Sequence, residues 1–225
     1  MENILSLNNL SYQYQSGGKT QTILENTSYD FDASTFYTIL GPSGSGKTTI
    51  LSIASGLDIP NQGQVLFQKQ SINKSLSLQK YRKNHCAIIF QAYNLIPYMT
   101  ALQNVITAIG IQHPGMRNKR AHAIKVLTEV GLTEDQIKRP VLKLSGGQQQ
   151  RVTIARALSG SAQIIFADEP TGNLDGETAE KIIYLFKALA HQKGKCIIMV
   201  THDKSIAKQS DITLTLKGKQ LIETF

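Results

Sequence analysis

An α/β fold, built on a mostly parallel sheet with flanking helices, is predicted by three features of this 225-residue chain. Short apolar runs lack the polar alternation of half-exposed strands. Helical periodicity is concentrated in the middle of the sequence, and a glycine-rich turn follows the first central run directly.

Taken in order, the first thirty or so residues and Gly63 to Ser71 read as strands and turns, an antiparallel β region. Phe36 to Leu40 is the first central strand, followed by a loop and a helical stretch, Thr49 to Ser55, with Gly56 as its stop. Cys86 to Phe90, Ile164 to Ala167 and Cys196 to Val200 are further runs of the same kind. Between them the period becomes helical: Ala123, Ile124, Leu127 and Val130 share a face that stops at Gly131. Thr133 with Gln136 reads as a capping box for one more turn before Pro140. Ile182, Ile183, Phe186 and Leu189 give Thr178 to Ala190 one apolar face to lay on the sheet. Thr213 to Leu216 is the last strand expected. The chain thus reads as a single domain over 1–225: a core with its β region in 1–90 and 160–225, and an inserted helical subdomain in 91–159.

The net charge of +8 is spread over dispersed Lys and Arg with no long basic run, so no nucleic-acid partner is expected. No apolar run approaches the roughly 20 residues of a membrane-spanning helix. Met1-Glu2-Asn3 leads directly into strand-like sequence, so a cytoplasmic chain is expected. Cys86 and Cys196 lack metal-ligand spacing and read as buried thiols.

Each central run is followed at once by groups suited to nucleotide chemistry: the Gly41 loop, Gln91, Asp168 with Glu169, and Thr201-His202-Asp203. Ligands of open α/β sheets bind outside the carboxyl ends of the strands, so these distant positions should gather at one edge. In Gly41-Pro42-Ser43-Gly44-Ser45-Gly46-Lys47-Thr48, glycines let successive N–H groups turn inward around phosphates, and the helix that follows offers its positive end. Lys47 would reach the β and γ phosphates, Thr48 would ligate Mg²⁺, and Thr49 completes the ATP-binding stretch. The motif resembles the phosphate loop of P-loop NTPases, which implies a core of that P-loop NTPase fold. A buried strand ending in Asp168 needs a cation nearby, such as Mg²⁺ held through water, which leaves Glu169 as general base for the attacking water. Ser145-Gly146-Gly147-Gln148 is locally a capping box; two glycines at its start bare N–H groups for an anion.

With these motifs in place, nearly the whole chain resembles the nucleotide-binding subunits of ABC transporters. The resemblance implies a homodimer that sandwiches two ATP molecules, each phosphate loop facing the partner's signature motif, here Leu144 to Gln148. It further implies that Gln91 contacts Mg²⁺ and senses the membrane subunit, that Asp175 links the two sites, that His202 is the switch at the γ phosphate, and that Tyr14 stacks on adenine. Tyr12, its neighbour on the strand, is the other candidate for that stacking.

The stretch Ala167 to Asp175, with Phe90 to Pro97 and Thr100 to Val105, is similar to one branch: macrolide-export, lipoprotein-release, antimicrobial-peptide-resistance and cell-division members. Gln103 and Gln148 stand where that branch often carries Glu. Leu95, Ile96, Pro97, Tyr98 and Met99 form an apolar cluster where an integral membrane permease would dock, placing the chain peripherally on the inner face of the cell membrane. The alternative is that this cluster packs inside the helical subdomain. An export-type motor and a cell-division-type force transmitter fit the residues equally. A DNA-repair or chromosome-organising ATPase would need a long heptad coiled coil between Lys47 and Ser145, where none is present. A binding module that hardly hydrolyses ATP is disfavoured by Glu169.

Overall fold

A computed structural model describes residues 2–16 and 19–224; the expectation placed on Met1 lies outside them. The chain begins with β1 (Asn3–Ser16) and β2 (Lys19–Asp32), an antiparallel hairpin extended by β4 (Gln62–Phe67) and β5 (Gln70–Ser71) in the order β2-β1-β4-β5. The second sheet holds β3 (Phe36–Leu40), β6 (Cys86–Ile89), β7 (Ile164–Asp168), β8 (Cys196–Thr201), β9 (Ile212–Lys217) and β10 (Gln220–Glu223), in the order β10-β9-β3-β8-β7-β6. All its pairings are parallel except β10 with β9. The α/β expectation holds, and the four apolar runs are the adjacent strands β3-β8-β7-β6, the last of them at the edge of the sheet rather than in its centre.

These strands are apolar throughout because both faces are covered, so successive side chains enter different cores. Ile197 and Met199 join one apolar cluster; Cys196, Ile198 and Val200 join the other. One face carries α1 (Lys47–Ala54) and the antiparallel sheet. The other carries α3 (Ala101–Gln112), α4 (Lys119–Glu129), α5 (Glu134–Lys138), α6 (Gly146–Leu158) and α7 (Gly176–Lys193). Two short helices, α2 (Leu78–Asn84) and α8 (Lys204–Ala207), complete the set among the described residues, with a 3₁₀ turn at Val141–Lys143. No described helix is long and apolar enough to cross a membrane. Both cysteines are buried and free, and burial pushes the Cys86 thiol up to about 12.

Several helix starts are set by side chains. Thr100, Ser145 and Thr133 each form a complete capping box, with Gln103, Gln148 and Gln136 as the reciprocal acceptors. The neutral amide oxygen fills the role that a Glu carboxylate would otherwise take. Two expectations need correction. Ile124 is 37% exposed rather than in the core, because α4 buries a face narrow enough to need only Ala123, Val126 and Leu127. The last strand is β10, a hairpin partner of β9, whose mixed sequence Gln220–Glu223 buries only Leu221.

Candidate ATP site

Strand register brings the expected groups to one edge: Leu40 lies opposite Thr201, Asp168 opposite Val200, and Ile89 opposite Ala167. The loop after β3 runs directly into α1, whose cap is Gly46 at φ 99° with no side-chain bond and no acidic residue in the first turn. The leading N–H groups of α1 therefore face outward as an uncompensated positive end. Lys47 is 5% exposed and folds its ammonium onto the Gly41 and Pro42 carbonyls, each at 2.8 Å. Ser45 Oγ is buried without a hydrogen-bond partner, an orphan that suits a phosphate oxygen. Pro42, Ser43 and Gly44 are exposed at the tip of the loop, and Thr49 is half-buried behind it.

Gly46 is also wedged. Tyr12 pairs with Leu24 but Gln13 with Thr22, so Ile23 is the extra residue of a β-bulge in β2. A Cβ at Gly46 would meet Ile23 Cγ2 at 2.5 Å and Leu216 Cδ2 at 3.0 Å. The bulge thus anchors the hairpin to the loop, two residues along β2 from Gln21, the partner of Tyr14. Tyr14 is 57% exposed there, with its ring 6.0 Å from that of Tyr12 in an edge-on arrangement. Tyr12 is buried and donates its hydroxyl to Asp58 Oδ2 at 2.6 Å. Of the two candidates, Tyr14 is the ring with a free face.

Across the edge, the Thr48 hydroxyl donates to Asp168 Oδ1 at 3.3 Å. Burial raises the Asp168 carboxyl above the usual aspartate range, and the Thr48 bond offsets this only in part. A hydroxyl and a desolvated carboxylate side by side are hard oxygen donors that fit Mg²⁺. Glu169 holds a left-handed backbone at φ 45°, a conformation costing about 1–3 kcal/mol that must be imposed by its surroundings. Its amide donates to the Val200 carbonyl at 3.0 Å. His202 Nδ1 stands 3.1 Å from Glu169 Oε1. Glu169, Thr171, Gly172, Thr201, His202 and Asp203 line a cavity of about 290 Å³. A larger cavity, about 830 Å³, lies between the end of α4 and α7 and contains none of the expected site residues; size is no guide to the chemistry here.

Gln91 is exposed, with Nε2 against Gly172 (3.1 Å from where a Cβ would stand) and its carbonyl accepting from Asn173 Nδ2 at 3.3 Å. Ser145 to Gln148 lie apart from the phosphate loop: no hydrogen bond among the described residues joins the two stretches. They sit instead beside the start of α7. A Cβ at Gly147 would meet Thr178 Cγ2 at 2.3 Å, and one at Gly146 would meet Leu174 Cδ2 at 3.5 Å. The first glycines of α6 therefore permit close approach as well as open N–H groups. Asp175 is the N-cap of α7, accepting from the Thr178 amide at 3.0 Å, which holds its carboxyl below the usual range.

The apolar cluster after Gln91 is split between the two readings. Leu95 packs against the core, Ile96 is tied by its amide and carbonyl to Asn104, and Met99 receives the Thr107 hydroxyl on sulfur at 3.8 Å. Pro97 and Tyr98 face out, Tyr98 at 79% exposure. Leu142, 72% exposed, belongs beside them, because the Val141 amide donates to the Met99 carbonyl. Sequence reasoning missed Leu142, Ile23 and Arg156. The first two carry no local signal, and Arg156 reads as an ordinary last-turn cation of α6.

The ABC transporter family model matches residues 24–172. An uncharacterised ABC transporter ATP-binding protein, YclH of Bacillus subtilis, is 48% identical over 95% of this chain and 93% of its own length. The lipoprotein-releasing system ATP-binding protein LolD of Syntrophotalea carbinolica is 39% identical over 92% of each. The macrolide export ATP-binding/permease protein MacB 2 of Aeromonas hydrophila is 38% identical over 99% of this chain but only 34% of its own length. The dimeric structure of the cassette MJ0796 of Methanocaldococcus jannaschii superposes with TM-score 0.89, at 37% identity and 98% coverage of both chains. A post-hydrolysis dimer of the same cassette, bound to ADP and Pi, matches equally well. Sequence, fold and the gathered edge lead to one assignment: the chain belongs to the ABC transporter family, as an ATP-binding and ATP-hydrolysing subunit.

Proposed function

We propose that the chain forms a homodimer around two ATP molecules and powers a separately encoded permease, in an export-type system of the macrolide, antimicrobial-peptide or lipoprotein class. One observation supports the dimer: α6 opens on two glycines with no acidic residue in its first turn, and Ser145 to Gln148 make no hydrogen bond to their own phosphate loop among the described residues. The anion they suit must come from a second copy. The dimeric state of MJ0796 supports this reading. The permease is supported by MacB 2, whose name joins an ATP-binding part, the part this chain matches, to a permease. Residues 91–159 then form a helical subdomain that moves on a core made of 1–90 and 160–225.

In this reading Gly41 to Thr49 cradle the phosphates with backbone N–H groups, and Lys47 exchanges the Gly41 and Pro42 carbonyls for the β and γ phosphates. Tyr14 stacks on the adenine. Thr48, Asp168 and Gln91 hold Mg²⁺, which when bound neutralises charge on the phosphates. Glu169 takes the proton of the attacking water and is oriented by His202, 3.1 Å away. Asp175, at the head of α7, faces the seam between the two sites. Catalysis is then mainly positioning and charge neutralisation. Pro97 and Tyr98, with Leu142, face the permease.

Glu169→Gln tests the core of this. It should retain ATP, accumulate an ATP-dependent dimer in sedimentation, and lose turnover by about 100-fold or more; an unchanged rate rejects Glu169 as base. Pull-down of that variant from native membranes should recover an integral membrane protein, and Tyr98→Ser should lose it while binding ATP normally. Recovery of no membrane partner, with hydrolysis intact, rejects the permease.

A further inference from the structure

We propose that Arg156 is a positioning residue that bolts the loop after Gln91 to α6, so that Gln91 and the signature stretch Ser145 to Gln148 shift as one body. The inference rests on the roles given to those residues under Proposed function, and it assigns the physical link between them.

Arg156 lies ten residues along α6 from Gly146, a distance of about 15 Å along the axis. Its guanidinium donates to two successive carbonyls of the loop, Tyr93 at 3.0 Å and Asn94. Neither acceptor is charged, and among the described residues Arg156 has no carboxylate partner. A planar fork spanning two adjacent carbonyls fixes orientation as well as distance, which a single ammonium cannot do. Those carbonyls belong to two consecutive left-handed residues, Tyr93 at φ 58° and Asn94 at φ 50°. Asparagine tolerates that region, tyrosine poorly, so the kink needs an outside grip to persist. Burial also lowers the Arg156 pKa, which marks a cation drawn out of water.

A second contact lies at the other end of the helix. The Tyr93 hydroxyl stands 3.0 Å from where a Cβ on Gly146 would be, so the ring reaches the first residue of α6. The loop is therefore held by both ends of one rigid rod. Upstream, Gln91 is attached to Asn173 and Gly172, beside Glu169. Ala92 is the sole residue between the part of the loop that follows the catalytic edge and the part that follows α6. With so short a joint, a displacement of Gln91 towards phosphate is passed to the tip of α6 instead of being absorbed in the loop. Arg156 also lines a groove of about 270 Å³ with Ile88, Ala108, Ile111 and Gln112, on the α3 side of the same loop.

The test uses the full chain in the Glu169→Gln background, comparing Arg156 with Arg156→Lys and Arg156→Ala. Three quantities are read: the ATP-dependent dimer dissociation constant by sedimentation, single-chain affinity for a fluorescent ATP analogue at dilution, and the thermal unfolding midpoint. Arg156→Lys keeps a cation but loses the planar fork that orients both carbonyls at once, and should raise the dimer constant by about tenfold, the worth of one charge-assisted bond. Single-chain affinity should stay at the parent's value in that variant, the unfolding midpoint should fall by no more than about 2–4 °C, the scale of one intrachain bond, and amide exchange at Tyr93 to Leu95 should quicken. Arg156→Ala should weaken the dimer further. An unchanged dimer constant in Arg156→Lys overturns the proposal, as does a parallel fall of all three quantities, which would mark a merely structural arginine. Failure of Glu169→Gln alone to dimerise on ATP overturns the reading beneath it, and the latch with it, and is recognised by appearing before any change at Arg156.

Discussion

Gly147→Ala is the sharpest probe of how the signature helix is seated. An ideal Cβ there would stand 2.3 Å from Thr178 Cγ2, against about 3.5–4.0 Å for carbon–carbon contact. The same Cβ would be 3.6 Å from Thr178 Cβ and 3.8 Å from Oγ1, so the conflict is with one methyl group. Inserting a methyl into a packed contact costs about 1–3 kcal/mol. The exchange of glycine for alanine in a helix returns up to about 1 kcal/mol. The net loss, about 0–3 kcal/mol, reaches down to zero, so Thr178→Ser, which deletes the methyl, supplies the control. Denaturant unfolding of the four variants in this cycle should give a coupling of at least about 1 kcal/mol, with the double mutant close to Thr178→Ser. ATP turnover should follow: a tip of α6 displaced by about 1 Å costs on the order of 100-fold, and the double mutant should regain it. A coupling below about 0.5 kcal/mol, or a Gly147→Ala chain with normal turnover, would refute the claim that α6 rests on Thr178.

Two further predictions concern the nucleotide pocket. Tyr14→Ala should weaken ATP binding by roughly tenfold, the scale of one base–aromatic stack, without lowering stability, whereas Tyr12→Phe should lose about 1 kcal/mol of stability with its Asp58 bond; titration with ATP and unfolding of each variant separate the two, and equal losses of affinity would reject the assignment. Asp168 has a folded pKa raised by burial, so its ionised form opposes folding, an effect absent below the unfolded pKa and complete above the folded one. Asp168→Asn should therefore raise the unfolding midpoint of the nucleotide-free chain at pH 7 while removing any gain from MgATP, and a lowered midpoint would show that the carboxylate is well solvated.

The parts of this molecule that could be read from its residues are those in which one physical demand dominates a short stretch. Phe36–Leu40 and Cys196–Thr201 announce themselves because strands covered on both faces carry no alternation. The boxes at Thr133 and Ser145 were legible because capping is a contact three residues long. The short helix α2 was not, since it buries only Tyr81 and shows no period. Tyr12 and Tyr14 could not be told apart because period two puts both on one face; only the extent of the cover above them, ending at Asp58, decides which is buried. The placement of Asp168 and His202 at strand ends was legible for the same reason as the strands. The grip of Arg156 on Tyr93 and Asn94 joins positions 62 and 63 residues apart, and no local pattern carries such a contact.

The way the helices are capped divides the molecule by its response to acid. The entries of α3, α5 and α6 are closed by hydroxyls and amides, groups that do not titrate. The entries of α7 and α8 are closed by the carboxylates of Asp175 and Asp203, both held below the usual aspartate range by the amides and hydroxyl they accept from. Their contribution is complete above the unfolded aspartate pKa and disappears as pH falls through the lower folded values. Acid therefore loosens the segments that follow β7 and β8, taking with them the walls around Glu169 and His202, while the signature helix keeps its start. The divide opens only below about pH 4, where the carboxylates that close α7 and α8 take up protons, while the hydroxyl and amide caps of α3, α5 and α6 are unchanged.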